Sequence, residues 1–170
     1  MKLEDKITID SKGNLYVIVS NKNLPDVKTV WKFDTTTKIV LPYIKVNNAD
    51  LKFISYWAAQ NKLVIQDDSK IYTLGLNEQK DELVFLIGRP NSSSSQLKDG
   101  VDTNASAALN FPVSYFDDAF YILEKNRFLR KVSLSNNEAS VKTISIFETG
   151  AYAYLTMRSK NTFFIDRKKT

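Results

Sequence analysis

Apolar and polar residues alternate with a period of two along most of the chain, which is the pattern of half-buried β-strands rather than of amphipathic helices. The residues between these runs are typical of turns. Ser11–Asn14 predicts a tight turn in which Gly13 can take a positive φ, and Asn21–Asp26 predicts a polar loop. The first stretch of the chain therefore predicts four strands, at Ile7–Asp10, Leu15–Val19, Val30–Asp34 and Ile39–Lys45.

The same order of strands and turns recurs along the chain. The equivalent second strands are marked by Leu15, Leu63, Phe120 and Phe163, at spacings of 48, 57 and 43 residues. One four-stranded unit in about 40 to 50 residues is the period of a propeller blade. A β-sandwich with coincidental spacing is the alternative. We predict an all-β protein, a β-propeller fragment of four-stranded antiparallel blades over 6–46, 50–88 and 112–147, with a partial blade over 151–170.

A long connection over 88–111 separates the second and third predicted blades. It contains the low-complexity run Asn91–Ser95, which predicts a mobile loop tip, and the segment 102–109, which predicts one or two helical turns. Long connections in compact domains are often functional. We therefore predict that Gly88–Asn110 is the most adaptable surface and the main contact site.

The apolar second strands predict the packed core between blades. Leu15–Val19 is apolar at every position, so it reads as a strand that is buried on both faces. We predict that the following side chains fill the space between blades: Leu15, Val17, Leu63, Ile65, Tyr121, Leu123 and Phe164.

Composition removes several classes of function. The chain has no cysteine and no histidine, which excludes disulfides, thiolate chemistry, Ser-His-Asp triads and histidine-based zinc sites. Its net charge of +5 is scattered and not gathered in a stripe. No stretch approaches 18 apolar residues, and the first residues lack an apolar signal region. The compartment stays open between the cytoplasm and a mature extracellular or periplasmic segment.

Two parts of the sequence resemble a known repeat family. Asp10–Val17 is similar to the Asp-x-x-Gly-Asn-Leu-Tyr-Val core of NHL repeats, and Trp31–Phe33 fits their third strand. Asp99–Gly100, 107–112 and 126–132 resemble the long-loop version, which ends in Asn-x-x-Ile-Arg-Lys-Val. Asp117–Ala119 departs from the Gly-Asn turn of the family. The resemblance implies a propeller and says little about activity.

Candidate catalytic or metal-binding residues are few. Asp67–Asp68 and Asp117–Asp118 could supply oxygen ligands for calcium, as in calcium-dependent propeller lactonases, but they fall at strand-to-strand turns where Asp is common. The NHL-like lyases rely on histidine, which this chain lacks. We therefore predict no catalytic residue, no metal and no cofactor, and keep a calcium-dependent hydrolase as a distant alternative.

The sequence instead predicts a non-catalytic binding scaffold that binds a protein or a peptide through the loops between second and third strands and through Gly88–Asn110. RNA or another polyanion is the alternative, since some NHL domains bind single-stranded RNA, and Lys28 with other basic residues is predicted to lie in or near loops. The predicted ring is incomplete, so we also expect self-association or the remainder of a larger propeller to complete it. The predicted surface-loop site residues are Lys22, Asp68, Arg89, Lys98, Lys125 and Arg127.

Overall fold

The chain divides into two compact units, Met1–Phe85 and Leu86–Thr170. The structure is a computed structural model, and nearly every residue that it describes in a regular element is in a β-strand. The described residues are 7–21, 24–47, 51–67, 70–76, 83–88, 98–101, 105, 114–116, 119–124, 128–135, 138–146, 152–159 and 162–167.

The first sheet is a four-stranded antiparallel meander in which each strand pairs with the next one in the chain. Its strands are β1 (Ile7–Ile9), β2 (Leu15–Asn21), β3 (Leu24–Asp34) and β4 (Ile39–Asn47). The polar loop predicted at Asn21–Asp26 is wrong, because β2 runs to Asn21 and β3 begins at Leu24. Pro25 is tolerated there because it lies at the start of its strand, beside a register shift between Ser20 and Asn21.

The turns of the first sheet are held by aspartates and by residues in the left-handed region. Gly13 has a φ of 82°, as its position in the predicted turn requires. The Oδ1 atom of Asp34 accepts hydrogen bonds from the backbone N–H groups of Thr36 and Thr37, each at 3.0 Å. Lys38 then turns the chain with a φ of 61°. The turn predicted at Ser11–Asn14 is confirmed.

The second sheet repeats this construction with strands in the order β5-β6-β7-β8. A single 3-10 turn at Ala58–Gln60 joins its first two strands, and Asn61 closes that turn with a φ of 49°. Asparagine here takes the left-handed conformation that glycine takes in the first sheet. The strands are β5 (Phe53–Trp57), β6 (Lys62–Gln66), β7 (Lys70–Gly75) and β8 (Val84–Gly88).

The core of the first unit lies between these two sheets. Leu63 and Ile65 are fully buried, as predicted. The prediction for Leu15 and Val17 is wrong, because both are only half-buried, and the alternate side chains of β2 fill the core instead. Side chains of a strand alternate between faces, so only one face of β2 meets the second sheet. The buried cluster comprises Tyr16, Ile18, Val30, Ile44, Leu51, Ile54, Leu63, Ile65 and Leu74.

The second unit contains one five-stranded and one two-stranded antiparallel sheet. The larger sheet has the order β10-β11-β12-β13-β9, so the strand that comes first in the sequence, β9, lies at the edge beside the last one, β13. The strands are β9 (Gly100–Val101), β10 (Ser114–Phe116), β11 (Ala119–Glu124), β12 (Phe128–Ser135) and β13 (Glu138–Ile146), followed by β14 (Tyr152–Ser159) and β15 (Thr162–Arg167).

Strand β11 contributes buried side chains on both of its faces to the core of the second unit. Tyr121 and Leu123 are buried, as predicted, and so are Phe120 and Ile122 on the opposite face. The side chain of Phe164 lies outside the described part of the structure. The predicted helix at 102–109 also lies outside it except for Ala105, which is buried and not helical.

Within the described ranges, no helix is long and apolar enough to cross a membrane.

Candidate functional site

The long connection meets the edge of the third sheet through β9. Gly100 and Val101 pair with Val141 and Ser140 of β13 in antiparallel register. The prediction that these two residues lie in a loop is wrong. A two-residue strand has no periodicity of its own, and its partner lies about 40 residues further along the chain. The middle of the connection is therefore part of the sheet.

A buried arginine holds the residues that lead into β9. Arg130 lies in β12 and its side chain is 0% exposed. Its Nη2 atom donates a hydrogen bond to the carbonyl oxygen of Lys98 at 3.1 Å and lies 3.0 Å from Oδ1 of Asp99. A buried charge is costly unless it is paired and hydrogen-bonded. These contacts therefore hold Lys98 and Asp99 of the connection against β12.

The carboxylate of Asp99 also contacts β13. Its Oδ2 atom accepts a hydrogen bond from the backbone N–H of Thr143, and its Oδ1 atom accepts one from the Thr143 hydroxyl, both at 2.9 Å. The side chain of Asp99 is 49% exposed, so the carboxylate spans from the buried guanidinium to the surface. We call Asp99, Arg130 and Thr143 the anchor.

Lys98 is the one predicted site residue that falls within the described ranges. It is exposed and directly precedes the anchor carboxylate. Lys28, which we placed in a loop, lies in β3 instead. It is 8% exposed, and its Nζ atom donates a hydrogen bond to Oγ of Ser20 at 2.7 Å. The other predicted site residues lie outside the described residues: Lys22, Asp68, Arg89, Lys125 and Arg127.

The carboxylate of Asp10 is used by its own turn. It accepts hydrogen bonds from the backbone N–H groups of Lys12 and Asn14 at 2.9 and 2.8 Å, from Asn14 Nδ2 at 2.9 Å, and from the Tyr16 hydroxyl at 3.2 Å. Burial alone would raise the pKa of Asp10, but these hydrogen bonds outweigh it and hold the pKa below its ordinary value. Burial and the nearby Asp10 charge raise the pKa of Tyr16. Asp10 is thus a structural residue.

Asp67 closes the hairpin between β6 and β7 in the same way. Its backbone N–H donates to the carbonyl of Lys70 at 3.0 Å, and its Oδ1 atom accepts from the Lys70 N–H at 2.6 Å. The Tyr72 hydroxyl donates to Oδ2 at 3.1 Å. Burial, with the charge of Asp67, raises the pKa of Tyr72 to about 12. The turn interpretation of Asp67 is therefore confirmed.

No group of three or more acidic side chains is placed to hold a metal ion in the part of the chain that the structure describes. Asp117 and Asp118 lie outside that part. The carboxylates of Asp10 and Asp67 accept hydrogen bonds from backbone N–H groups and tyrosine hydroxyls, and that of Asp10 also from the Asn14 side chain.

The anchor was only partly visible in the sequence. Asp99 and Arg130 were recognised as members of two separate NHL-like motifs, but their pairing was not predicted. Thr143 was missed, and its alternating surroundings give no signal that distinguishes it from other threonines in strands. The pairing joins two motifs that are 31 residues apart, so only the fold brings them together.

Comparison with known proteins gives a fold and no family. No family model matches the chain, and no curated protein sequence matches it. Solved structures do match. An auxiliary nutrient binding protein from Bacteroides thetaiotaomicron is similar with a TM-score of 0.64 and 15% identity, over 91% of this chain and 43% of that one.

Two further structures have similar folds. A structural genomics protein of unknown function from the same organism has a TM-score of 0.64 and 16% identity, over 94% of this chain and 43% of its own. A chain of the Mitotic Checkpoint Complex has a TM-score of 0.51 and 7% identity, over 88% and 40%.

These likenesses concern the fold alone. The chain spans less than half the length of each of these structures. Together with the four-stranded antiparallel sheets, they confirm the predicted class: the chain is an all-β, propeller-like fragment.

Proposed function

We propose that the chain is a non-catalytic binding scaffold, an NHL-like propeller segment that binds a protein or a peptide through the connection at 88–111. The observation that carries this proposal is the anchor. The connection is long, yet residues 98–101 near its middle are fastened to β12 and β13 by a buried guanidinium and a bridging carboxylate. A binding loop on a rigid support loses less entropy on binding than a free one.

Three further points support the proposal. The anchor residues Asp99 and Arg130 belong to the motifs that resemble NHL repeats. One solved structure of similar fold is named a nutrient binding protein, which supports a binding role for this kind of fold. The chain lacks histidine and cysteine, and the carboxylates of Asp10 and Asp67 are engaged in turns, which favours binding over catalysis.

Peptide display on the immobilised chain tests the proposal. Selected peptides should lose at least about tenfold in affinity when Ser92–Ser95 is deleted, since that change shortens the connection without touching the anchor. Lys45→Ala, an exposed change on β4, is the control and should leave the affinity unchanged. Peptides that bind the deletion variant and the parent chain equally would contradict the proposal.

The polyanion alternative makes a different prediction. Binding to single-stranded poly(U) RNA through lysine and arginine should weaken steeply with rising salt, because phosphate neutralisation releases counterions. Peptide binding at the connection should depend on salt only weakly. A calcium-dependent enzyme would instead gain thermal stability when calcium is added and lose it with a chelator.

A further inference from the structure

The first sheet has one face that the described residues leave uncovered. Its opposite face carries Tyr16, Ile18 and Val30 into the core of the first unit. Cross-strand partners share a face of a sheet, so the register identifies the side chains on the uncovered one. One row across all four strands consists of Ile9, Leu15, Phe33 and Val40.

The neighbouring row on this face is equally apolar. It consists of Ile7, Val17, Trp31 and Pro42. Ile7 is 59% exposed, and Ile9 and Val40 in the other row are 57% and 55% exposed. None of these eight side chains carries a charge. We call the two rows the open face.

The open face is large for a soluble protein. Its exposed apolar area is on the order of 500 Å², which is near the upper limit of the largest patch on an ordinary monomer, and such patches are often binding sites. Val17 and Trp31 lie at its centre and are half-buried, while the isoleucines of β1 protrude at one side. This arrangement is suited to packing against another flat, apolar surface.

The opposite face of the same sheet shows what kind of surface packs against an apolar face of this kind. That opposite face is covered by a four-stranded antiparallel sheet, through Leu63, Ile65 and Leu74. Two sheets that pack face to face interdigitate their side chains across about 10 Å. The occupant of the open face is therefore expected to be another apolar sheet face.

We propose that the open face binds the open face of a second copy of this chain. The two rows are uncharged, and Lys45, which pairs with Thr29 in the next row of the same face, lies at their edge, so a two-fold arrangement can bring the apolar rows together with the lysines outside them and makes one patch complementary to itself. Two such faces with their rims would bury on the order of 1,200 Å² in total, at the lower end for specific interfaces. A weak, concentration-dependent dimer follows. This inference is independent of the function proposed for the connection.

Because the chain contains no cysteine, one introduced cysteine is its only thiol, and thiol labelling then reports on that position alone. Ile9→Cys places a thiol on the open face at a position that is 57% exposed, and Leu41→Cys places one at a position that is 56% exposed. Leu41 pairs with Lys32, so it faces the other side of the same sheet and is a matched control. Maleimide labelling rates are measured over a range of protein concentrations, with sedimentation velocity on the same samples.

The thiol of Ile9→Cys should label at least about fivefold more slowly at concentrations where the dimer forms, while that of Leu41→Cys should not change. Ile9→Lys should raise the dissociation constant at least about tenfold and Leu41→Lys should leave it unchanged, because only the former buries a charge in the interface. Both lysine positions are exposed in the monomer, so folding should tolerate them.

Three outcomes would overturn the proposal. One is a chain that stays monomeric at every concentration with both thiols freely reactive. Another is protection of Ile9→Cys in dilute monomer, which would mean that a segment of the same chain covers the open face. The third is association that Ile9→Lys leaves intact, which would place the contact on a different surface.

Discussion

Replacing Asp99 by alanine gives the sharpest test of how the connection is fastened. The change leaves the guanidinium of Arg130 fully buried without the carboxylate that lies 3.0 Å away. Breaking a buried pair in this way costs about 3–5 kcal/mol when both partners are buried. Asp99 is 49% exposed, so water replaces part of the interaction. We expect Asp99→Ala to lower the free energy of unfolding by about 2 kcal/mol, less than a fully buried pair would.

The companion variants separate the contacts of the anchor. Thr143→Val removes the hydroxyl donor but keeps the backbone donor to Asp99, so it should cost only about 0.5–1 kcal/mol. In the double-mutant cycle, Asp99→Ala combined with Arg130→Met should be less destabilising than the sum of the two single changes. A coupling energy of about 1–2 kcal/mol is expected for such directly contacting side chains.

Urea unfolding followed by circular dichroism measures these differences in unfolding free energy. The dependence of that free energy on urea concentration should be the same for each variant. Amide hydrogen exchange at Gly100 and Val101 gives a local measurement, because β9 should open more often once the anchor is broken. A cost for Asp99→Ala below about 0.5 kcal/mol, or strict additivity in the cycle, would refute the argument that this pair fastens the connection.

Four other changes test the fold by similar measurements. Leu63→Ala should cost about 2–5 kcal/mol in urea unfolding, because Leu63 is fully buried, and a near-neutral result would remove β6 from the core. Gly13→Ala should cost about 1 kcal/mol and Gly13→Asn less, because φ is positive while the added Cβ would meet Thr35 Oγ1 only at 3.5 Å. The pKa of Asp10 is below its ordinary 3.8, so its contribution is present at neutral pH and is lost as pH falls through the folded value. Asp10→Asn should therefore flatten the acid limb of the stability profile, and an unchanged limb would contradict this. Deleting Ser92–Ser95 should leave the melting temperature almost unchanged, whereas a large drop would mean that the segment is packed.

The repeat and its turns were predictable because they depend on local physics. Gly13 and Asn61 occupy the left-handed region at equivalent turns, and both residue types are among the few that do so readily. Asp10 and Asp67 precede or close hairpins by accepting backbone hydrogen bonds within a few residues. Such signals lie within one short window of sequence, so no knowledge of the rest of the chain is needed.

The anchor and β9 were not predictable because they depend on distant partners. Gly100–Val101 becomes a strand only by pairing with β13, and Arg130 is buried only because Lys98 and Asp99 return to it. A basic residue in a strand ordinarily points to solvent. The alternation of Phe128, Arg130 and Val132 places Arg130 on an apolar face of β12, but it does not identify the groups that pair with the guanidinium. The charge of a lysine or arginine does not predict that the residue lies in a loop. Lys28, for example, is buried in β3.

The prediction that Leu15 and Val17 are buried is wrong because both side chains lie on the open face. The run Leu15–Val19 is apolar at every position, a pattern of strands that are covered on both sides. In the described structure only the face with Tyr16 and Ile18 is covered. If β2 had evolved for a solvated outer face, its pairing partners there would be polar, yet Ile7, Ile9, Trp31 and Phe33 continue the apolar pattern across neighbouring strands. Apolar residues that agree across three strands therefore support the interface that we propose at this sheet.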